Sequence, residues 1–455
     1  MIKIELKNRM NELKSNPAQV LVLGFAALIF IGATLLNLPM ASASGRSIGF
    51  IDALFTSASA VCVTGLVVVN TAAHWTIFGK IVILVLIQIG GLGFMTMATL
   101  VSLLIGKKIT LKDRLIMQEE LNQFTLSGLV KLTRYIIIST FVIEAIGAVF
   151  LAFKFIPEYG TLQGIWYSIF HAISAYCNAG FDIIGNSMES FVTSPIVNFT
   201  ISILVILGGL GYSVYIDMTE NRKFKKFLLH TKVVLVMSIG LLVLGFLVFL
   251  IVEYNNPQTI GNLSFGSKLI ASFFQSVVPR TAGFNSVSMA GTTNATAFLI
   301  IILMFIGGSP GSTAGGIKTT TMGVILLAVV AVVRGETDVE IFGRRIPNEI
   351  IFRALAVLGI GLLIVIIVTM TLSLTENNLE DYSFLDITFE TVSAFGTVGL
   401  SRGLTPYLSD IGRIIITITM FIGRLGPLTM AFAFAKKRRE KKGLYRYPEE
   451  RITVG

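Results

Sequence analysis

The stretch Phe389–Leu400 reads FETVSAFGTVGL, and the chain is organised by its recurrence. Phe389 stands ten residues before Gly399, and the same interval separates Phe55 from Gly65, Phe170 from Gly180 and Phe273 from Gly283. The other copies read FTSASAVCVTGL, FHAISAYCNAGF and FFQSVVPRTAGF. Each opens as a half-polar segment too short to span a bilayer, closes in small residues and Gly, and lies between long apolar segments.

Irregular backbone at membrane depth is tolerated only where protein or a water-filled cavity covers it. The runs VTG, NAG, TAG and TVG have little side chain to bury, and their Gly permits unusual φ/ψ. What they present is carbonyl oxygen, and rings of carbonyls replace the hydration shell of an ion in potassium filters. Four such loops in one chain make one complete ring. The alternative is four surface re-entrant turns, which leaves the matched spacing without a cause.

Composition agrees with a polytopic membrane protein: mean hydropathy is +0.80 and charged residues make up 14%. The 455 residues suit eight spans of ~20 residues and four re-entrant loops. The N-terminus, MIKIELKNRMNELKSN, is charged and amphipathic, without the small-residue cleavage site of a signal peptide. Cys62 and Cys177 occupy equivalent places in copies one and two and read as buried small residues, not as a disulfide scaffold. His74, His171 and His230 lack metal-ligand spacing.

The net charge of +10 is not a nucleic-acid footprint. Of 36 Lys and Arg, 27 fall within residues 1–16, 106–135, 217–232, 334–353 and 436–455, alternating with acidic or neutral links. That alternation follows the positive-inside rule and puts both termini in the cytoplasm, facing anionic lipid or an acidic partner. The expected organisation is an N-terminal segment 1–16, repeats at 17–106, 129–218, 231–333 and 349–435, links at 107–128, 219–230 and 334–348, and a basic tail 436–455. The first link reads as an amphipathic helix lying at the interface. No link is long enough to bury a core of its own.

A second signal follows each Gly by 24 to 28 residues: QIGGLGF, ILGGLGY, FIGGSPG and FIGRLGP, aligned on Gly90, Gly208, Gly307 and Gly423. Mid-span glycines let helices approach or bend. Repeat three departs from the pattern, because its second span runs into GGSPGSTAGGIKTTT before resuming at Met322. The residues are Gly307, Gly308, Ser309, Pro310, Gly311, Ser312, Thr313, Ala314, Gly315, Gly316 and Lys318, and the segment is the only expected irregular stretch below the loops. It is not a nucleotide loop: Ile317 and Lys318 replace the Gly-Lys-Ser/Thr ending, and an apolar helix precedes it. It reads instead as an intramembrane gate, with a plain helix break as the alternative.

Repeat four has Arg424 where the others have Gly91, Gly209 and Gly308. A mid-span cation should face the bundle interior, either toward the pore or in a salt bridge to Glu144. Arg280, in the third loop, should anchor that loop from behind, with Glu390 as its expected partner. Glu376, Glu380, Asp381 and Asp386 precede the fourth loop and read either as a cation-attracting outer mouth or as an ordinary solvated loop.

The four loop glycines, the GGSPGSTAGGIK break and FIGRLGP together resemble the Trk/Ktr/HKT superfamily of cation transporters. The compact eight-span form is similar to the membrane subunits of bacterial Ktr systems. The resemblance covers essentially the whole chain. It implies an all-α polytopic membrane protein of four span–pore-loop–span repeats around one pseudo-fourfold pore, in the bacterial cell membrane. It also implies K⁺ uptake, often Na⁺-stimulated, by a homodimer bound to a cytosolic ring of nucleotide-binding RCK subunits, with no nucleic acid and no organic cofactor. The family's filter carbonyls fall on Val63, Thr64 and Gly65; Asn178, Ala179 and Gly180; Thr281, Ala282 and Gly283; and Thr397, Val398 and Gly399, which would hold K⁺. Its gate falls on residues 307–320 and Arg424. Within that family, Ser in place of the first filter Gly goes with Na⁺ preference, so Gly65 implies K⁺. A Na⁺-selective or alternating-access cation carrier is the alternative. A membrane enzyme lacks support, since no catalytic dyad or HExxH stands at helical spacing.

Overall fold

Long apolar runs between the four copies form helices, because a backbone without water must satisfy its own hydrogen bonds. The computed structural model describes residues 17–105, 109–120, 128–376, 381–434 and 450; the expected N-terminal segment 1–16 and most of the basic tail lie outside them. The first set of helices is α1 (Pro17–Leu36), α2 (Phe50–Val61), α3 (Ile77–Leu92) and α4 (Phe94–Leu104). After α5 (Leu111–Glu120) come α6 (Leu129–Tyr159), α7 (Thr161–Tyr176), α8 (Pro195–Leu210) and α9 (Tyr212–Glu220). The third set is α10 (Leu229–Glu253), α11 (Phe265–Val277), α12 (Asn294–Phe305) and α13 (Thr319–Val333). An antiparallel hairpin of β1 (Val339–Ile341) and β2 (Arg344–Ile346) leads to α14 (Asn348–Thr375), α15 (Phe384–Gly396), α16 (Asp410–Leu425) and α17 (Pro427–Phe434).

Each set thus runs long helix, short helix, interrupted helix pair. Among the described residues, helices α1, α6, α10 and α14 are long and apolar enough to cross a membrane, and the number rises to six if each bent pair, α3/α4 and α8/α9, is one span. One buried cluster joins the first set to the fourth through Phe55, Leu404 and Met420. A second joins Tyr176 to Phe274, and a third joins Ile300 to Phe389.

Interruption is a property of all four sets, which corrects the expectation that only residues 307–321 are irregular. Helices α3 and α4 meet at 100°, and α8 and α9 at 91°. The hinge residues share one conformation: φ 90°, ψ 145° at Gly93; φ 91°, ψ 138° at Gly211; φ 86°, ψ 140° at Gly426. Only Gly adopts this region without strain. In the third set the matching residue is Pro310, whose ring fixes φ near −65°. The same hinge is closed to it, and the chain makes the break with a loop.

The glycine three residues before each hinge has another cause. A Cβ at Gly90 would overlap the carbonyl oxygen of Val61, one at Gly208 that of Tyr176, and one at Gly423 that of Phe395. These carbonyls end the short helices, four residues before Gly65, Gly180 and Gly399. Spacing between the two glycine signals is therefore set by one backbone-to-backbone contact. The link helix also differs from a simple interfacial helix. Ile116 and Met117 of α5 pack with Leu21, Leu92 and Tyr212, and the Glu120 carboxylate accepts from Met95 N (3.1 Å) and Thr96 N (3.2 Å), capping α4 beside the Gly93 hinge.

Gly90→Ala should cost about 1–3 kcal/mol by overpacking. The melting temperature of the purified protein reads it. Gly240→Ala in α10, where an added Cβ meets nothing within 4 Å, should leave that temperature unchanged. Equal shifts in the two variants would contradict the contact.

Candidate functional site

The four candidate filter loops share an unusual backbone. Val63 (φ 57°), Asn178 (φ 61°), Thr281 (φ 72°) and Thr397 (φ 49°) are left-handed, as are Gly65, Gly180, Gly283 and Gly399 two residues later. Three of those non-Gly residues are β-branched, for which positive φ is an outlier, and strain of this kind costs roughly 1–3 kcal/mol per residue. Such strain persists only where the surroundings over-determine it.

The surroundings are the neighbouring loops. A Cβ on Gly65 would run into Ala179 O, one on Gly180 into Ala282 O, one on Gly283 into Val398 O, and one on Gly399 into Thr64 O. Each Gly abuts the middle carbonyl of the next loop in chain order, and loop four abuts loop one. The four seams close a ring. The Asn178 amide reaches Thr281 Oγ1 at 3.3 Å and ties loop two to loop three.

Serines six residues before the loop Gly hold three of these loops. Gly65 N donates to Ser59 Oγ (3.0 Å) and Gly399 N to Ser393 Oγ (3.1 Å), while Ser174 Oγ donates to Phe181 O (2.8 Å). Sequence reasoning missed them, although the signal was visible: the position is Ser in three copies and Val277 in the third. Two further tethers lie at the next position after the first Phe. Ile183 N donates to His171 Nε2 (3.4 Å), and the Glu390 carboxylate accepts from Ser401 Oγ (2.8 Å) and from Thr405 Oγ1.

The candidate gate loop joins α12 to α13. Gly307 N donates to Ile317 O (2.9 Å) and Thr319 N to Gly308 O (3.0 Å), so its two ends are pinned together. The part between them reaches the second set: Ser309 N donates to Gly209 O (3.0 Å), Thr313 N to Gly208 O (3.1 Å), and Tyr212 N to Gly311 O (2.9 Å). Thr313 Oγ1 also donates to Gly208 O (2.9 Å). A Cβ at Gly211 would meet Pro310 O, and a Cβ at Gly308 would meet Ala314 Cβ and Ser312 Oγ. Gly315 lies under the Thr397 side chain, Gly316 lies beside Gly396, and Lys318 Nζ donates to Ala314 O (2.7 Å).

Arg424 completes this level. Its guanidinium donates to Thr313 O of the loop and to Gly90 O of the first set, with Gly91 O at 3.3 Å. The alternative salt bridge to Glu144 is not formed. The Glu144 carboxylate accepts from Gln88 Nε2 (3.1 Å) and from Cys177 Sγ (3.8 Å) instead. Cys62 and Cys177 are free and buried.

Two other expectations are corrected. Arg280 does not reach Glu390; it donates to Ser238 Oγ (3.1 Å) and Ser238 O (3.5 Å) on α10. Nor are the acids before loop four a free cluster. Glu376 is buried and accepts from Ser409 Oγ (2.6 Å) and Ser409 N (3.0 Å) beside the start of α16, and Asp386 caps α15 while pairing with Arg402 at 2.6 Å. Asp381 is exposed, and Glu380 lies outside the described residues.

Ser393→Ala leaves Gly399 N without its acceptor in a buried site, at an expected cost of about 1–3 kcal/mol. Thermal unfolding measures this cost, and Ser373→Ala on α14, whose hydroxyl only bonds back to Thr369 O, is the neutral control. Equal stability of Ser393→Ala and the parent would remove the tether.

A scan against family models matches residues 7–443 to TrkH, cation transport protein. The chain is 47% identical over 439 residues to the Ktr system potassium uptake protein B of Bacillus subtilis, covering 96% of this chain and 97% of that one. It is 44% identical over 450 residues to the potassium/sodium uptake protein NtpJ of Enterococcus hirae, covering 99% of each. Among solved structures, the potassium transporter TrkH of Vibrio parahaemolyticus shares the fold with a TM-score of 0.69 at 18% identity, over 92% of this chain and 84% of that one. A multi-pass membrane protein with a ring of strained loops above a carbonyl-clamped loop, matched over nearly its whole length, belongs to the TrkH family of cation transport proteins.

Proposed function

We propose that this chain is the ion-conducting membrane subunit of a Ktr-type K⁺ uptake system. Its long helices and interrupted pairs form eight spans, and its short helices dip into the bilayer around one pseudo-fourfold pore. The observation that carries this reading is the ring closed by Gly65, Gly180, Gly283 and Gly399 against the carbonyls of the next loops. Carbonyls of Val63–Gly65, Asn178–Gly180, Thr281–Gly283 and Thr397–Gly399 replace water around K⁺. Little but Gly is common to the four loops, so the ring offers fewer equivalent oxygens than a tetrameric channel and discriminates less sharply. Na⁺ is the competing or stimulating ion, in keeping with the name of the Enterococcus relative.

Beneath the ring, residues 307–318 and Arg424 form the barrier. Arg424 repels K⁺ while its hydrogen bonds to Thr313 O and Gly90 O hold the loop across the path. Movement of α13 draws the loop aside. The chain sits in the bacterial plasma membrane with both termini in the cytoplasm, following its basic links. It pairs with a second copy, and a cytosolic ring of nucleotide-binding RCK subunits moves the loop.

Expression in a bacterium lacking its own K⁺ uptake should restore growth at low K⁺ and drive Rb⁺ uptake, with and without added Na⁺. Arg424→Ala, or deletion of 311–315, should raise flux per folded transporter and lower its dependence on the regulatory partner, with selectivity unchanged. Loss of uptake in folded variants, or altered selectivity at an unaltered rate, would sink the gate. Absence of Rb⁺ uptake by the parent would sink the function.

A further inference from the structure

Loop three takes part in the seams between loops but lacks the local supports that the other three share. The serine tether is absent, since Val277 replaces it. The backbone bond differs too: Thr64 N, Ala179 N and Val398 N donate to the carbonyls of Ser59, Ser174 and Ser393 at 2.7–2.8 Å, whereas Ala282 N donates to Val278 O at 3.0 Å. The second-helix glycine is missing as a support as well. Gly90, Gly208 and Gly423 press on the ends of their short helices, but Gly307 presses on Gly315 O of the gate loop. A small cavity beside this loop is lined by Val205, Ile206, Gly209, Val277, Arg280 and Gly308.

Arg280 is the side chain that loop three has and the others lack. It is 7% exposed, and its guanidinium turns away from the ring to Ser238 on α10. Among the described residues it forms no ion pair, and its Nε has no hydrogen-bond partner. A buried cation kept next to a cation path without a counter-charge is costly.

We propose that Arg280 is a specificity-determining positioning residue, which fixes the Thr281–Gly283 carbonyls by anchoring loop three on Ser238 in place of the missing serine tether. The ring holds one ion size only while all four of its sides are fixed, so the side where one long side chain replaces the local serine tether limits its discrimination. This rests on the K⁺-transport reading of the ring.

The test is competition of Na⁺ against Rb⁺ uptake by the full-length protein in the K⁺-uptake-deficient host. Folded protein is quantified in parallel by size-exclusion chromatography. Arg280→Gln should reduce the preference for Rb⁺ over Na⁺ roughly threefold to tenfold, the worth of one polar tether. Ser238→Ala should move it the same way by less. Adding Val277→Ser to Arg280→Gln, which offers Gly283 N the acceptor that Gly65 and Gly399 enjoy, should restore part of the preference. A purely structural role would lower the amount of folded transporter and leave the competition ratio unchanged, which would overturn the proposal. Should Arg280→Gln fail to fold, an unaltered ratio in Ser238→Ala overturns it equally. Failure of the parent to take up Rb⁺ would instead refute the transport reading.

Discussion

A helix interrupted inside an apolar bundle strands carbonyl and N–H groups where no water replaces the lost bonds, and this constraint shapes the molecule below its four loops. At the end of α3, Gly90 O and Gly91 O find Arg424. At the end of α8, Gly208 O and Gly209 O find Thr313 and Ser309. The N–H groups beyond the hinges are met by Glu120 at α4 and by Gly311 O at α9. A guanidinium and a glycine-rich loop, both costly in a membrane, are thus the partners that make broken helices tolerable. Any movement of the loop must replace those bonds, with water as the natural substitute in an open path.

The same economy of backbone explains the glycines. Two positions per set are fixed by contact with another backbone: the loop Gly by the neighbouring loop's carbonyl, and the Gly three residues before the hinge by the end of its own short helix. The third set breaks both habits of its second helix. Pro310 cannot take the Gly hinge, and Gly307 rests on Gly315. In the third set Pro310 stands at the hinge position and the chain resumes as a helix only at Thr319, so a loop takes the place of a kink.

Much of this was legible in the sequence, because glycine spacing is a direct imprint of close backbone approach. The loop triplets, the departure at 307–318 and the inward-facing Arg424 could all be placed from residue identity alone. Hinges at Gly93, Gly211 and Gly426 could not, since a mid-span Gly serves equally for packing and for bending and only its φ distinguishes the two. Tethers such as Ser393 were hidden by their ordinariness, serine being common in small-residue runs. The partners of Glu376, Asp386 and Arg280 were out of reach for another reason. Ser409, Arg402 and Ser238 lie 16 to 42 residues away along the chain, and only the fold brings them together.

On the proposed K⁺ transport, the ring closed by the four loops is where K⁺ binds. Crystals grown with Rb⁺ in place of K⁺ test it directly, because Rb⁺ scatters anomalously. An anomalous peak bounded by the loop carbonyls of all four sets, those of Thr64, Ala179, Ala282 and Val398 among them, is the expected result. A ring that stays empty, or a peak held by the carboxylates of the outer loops alone, would contradict it.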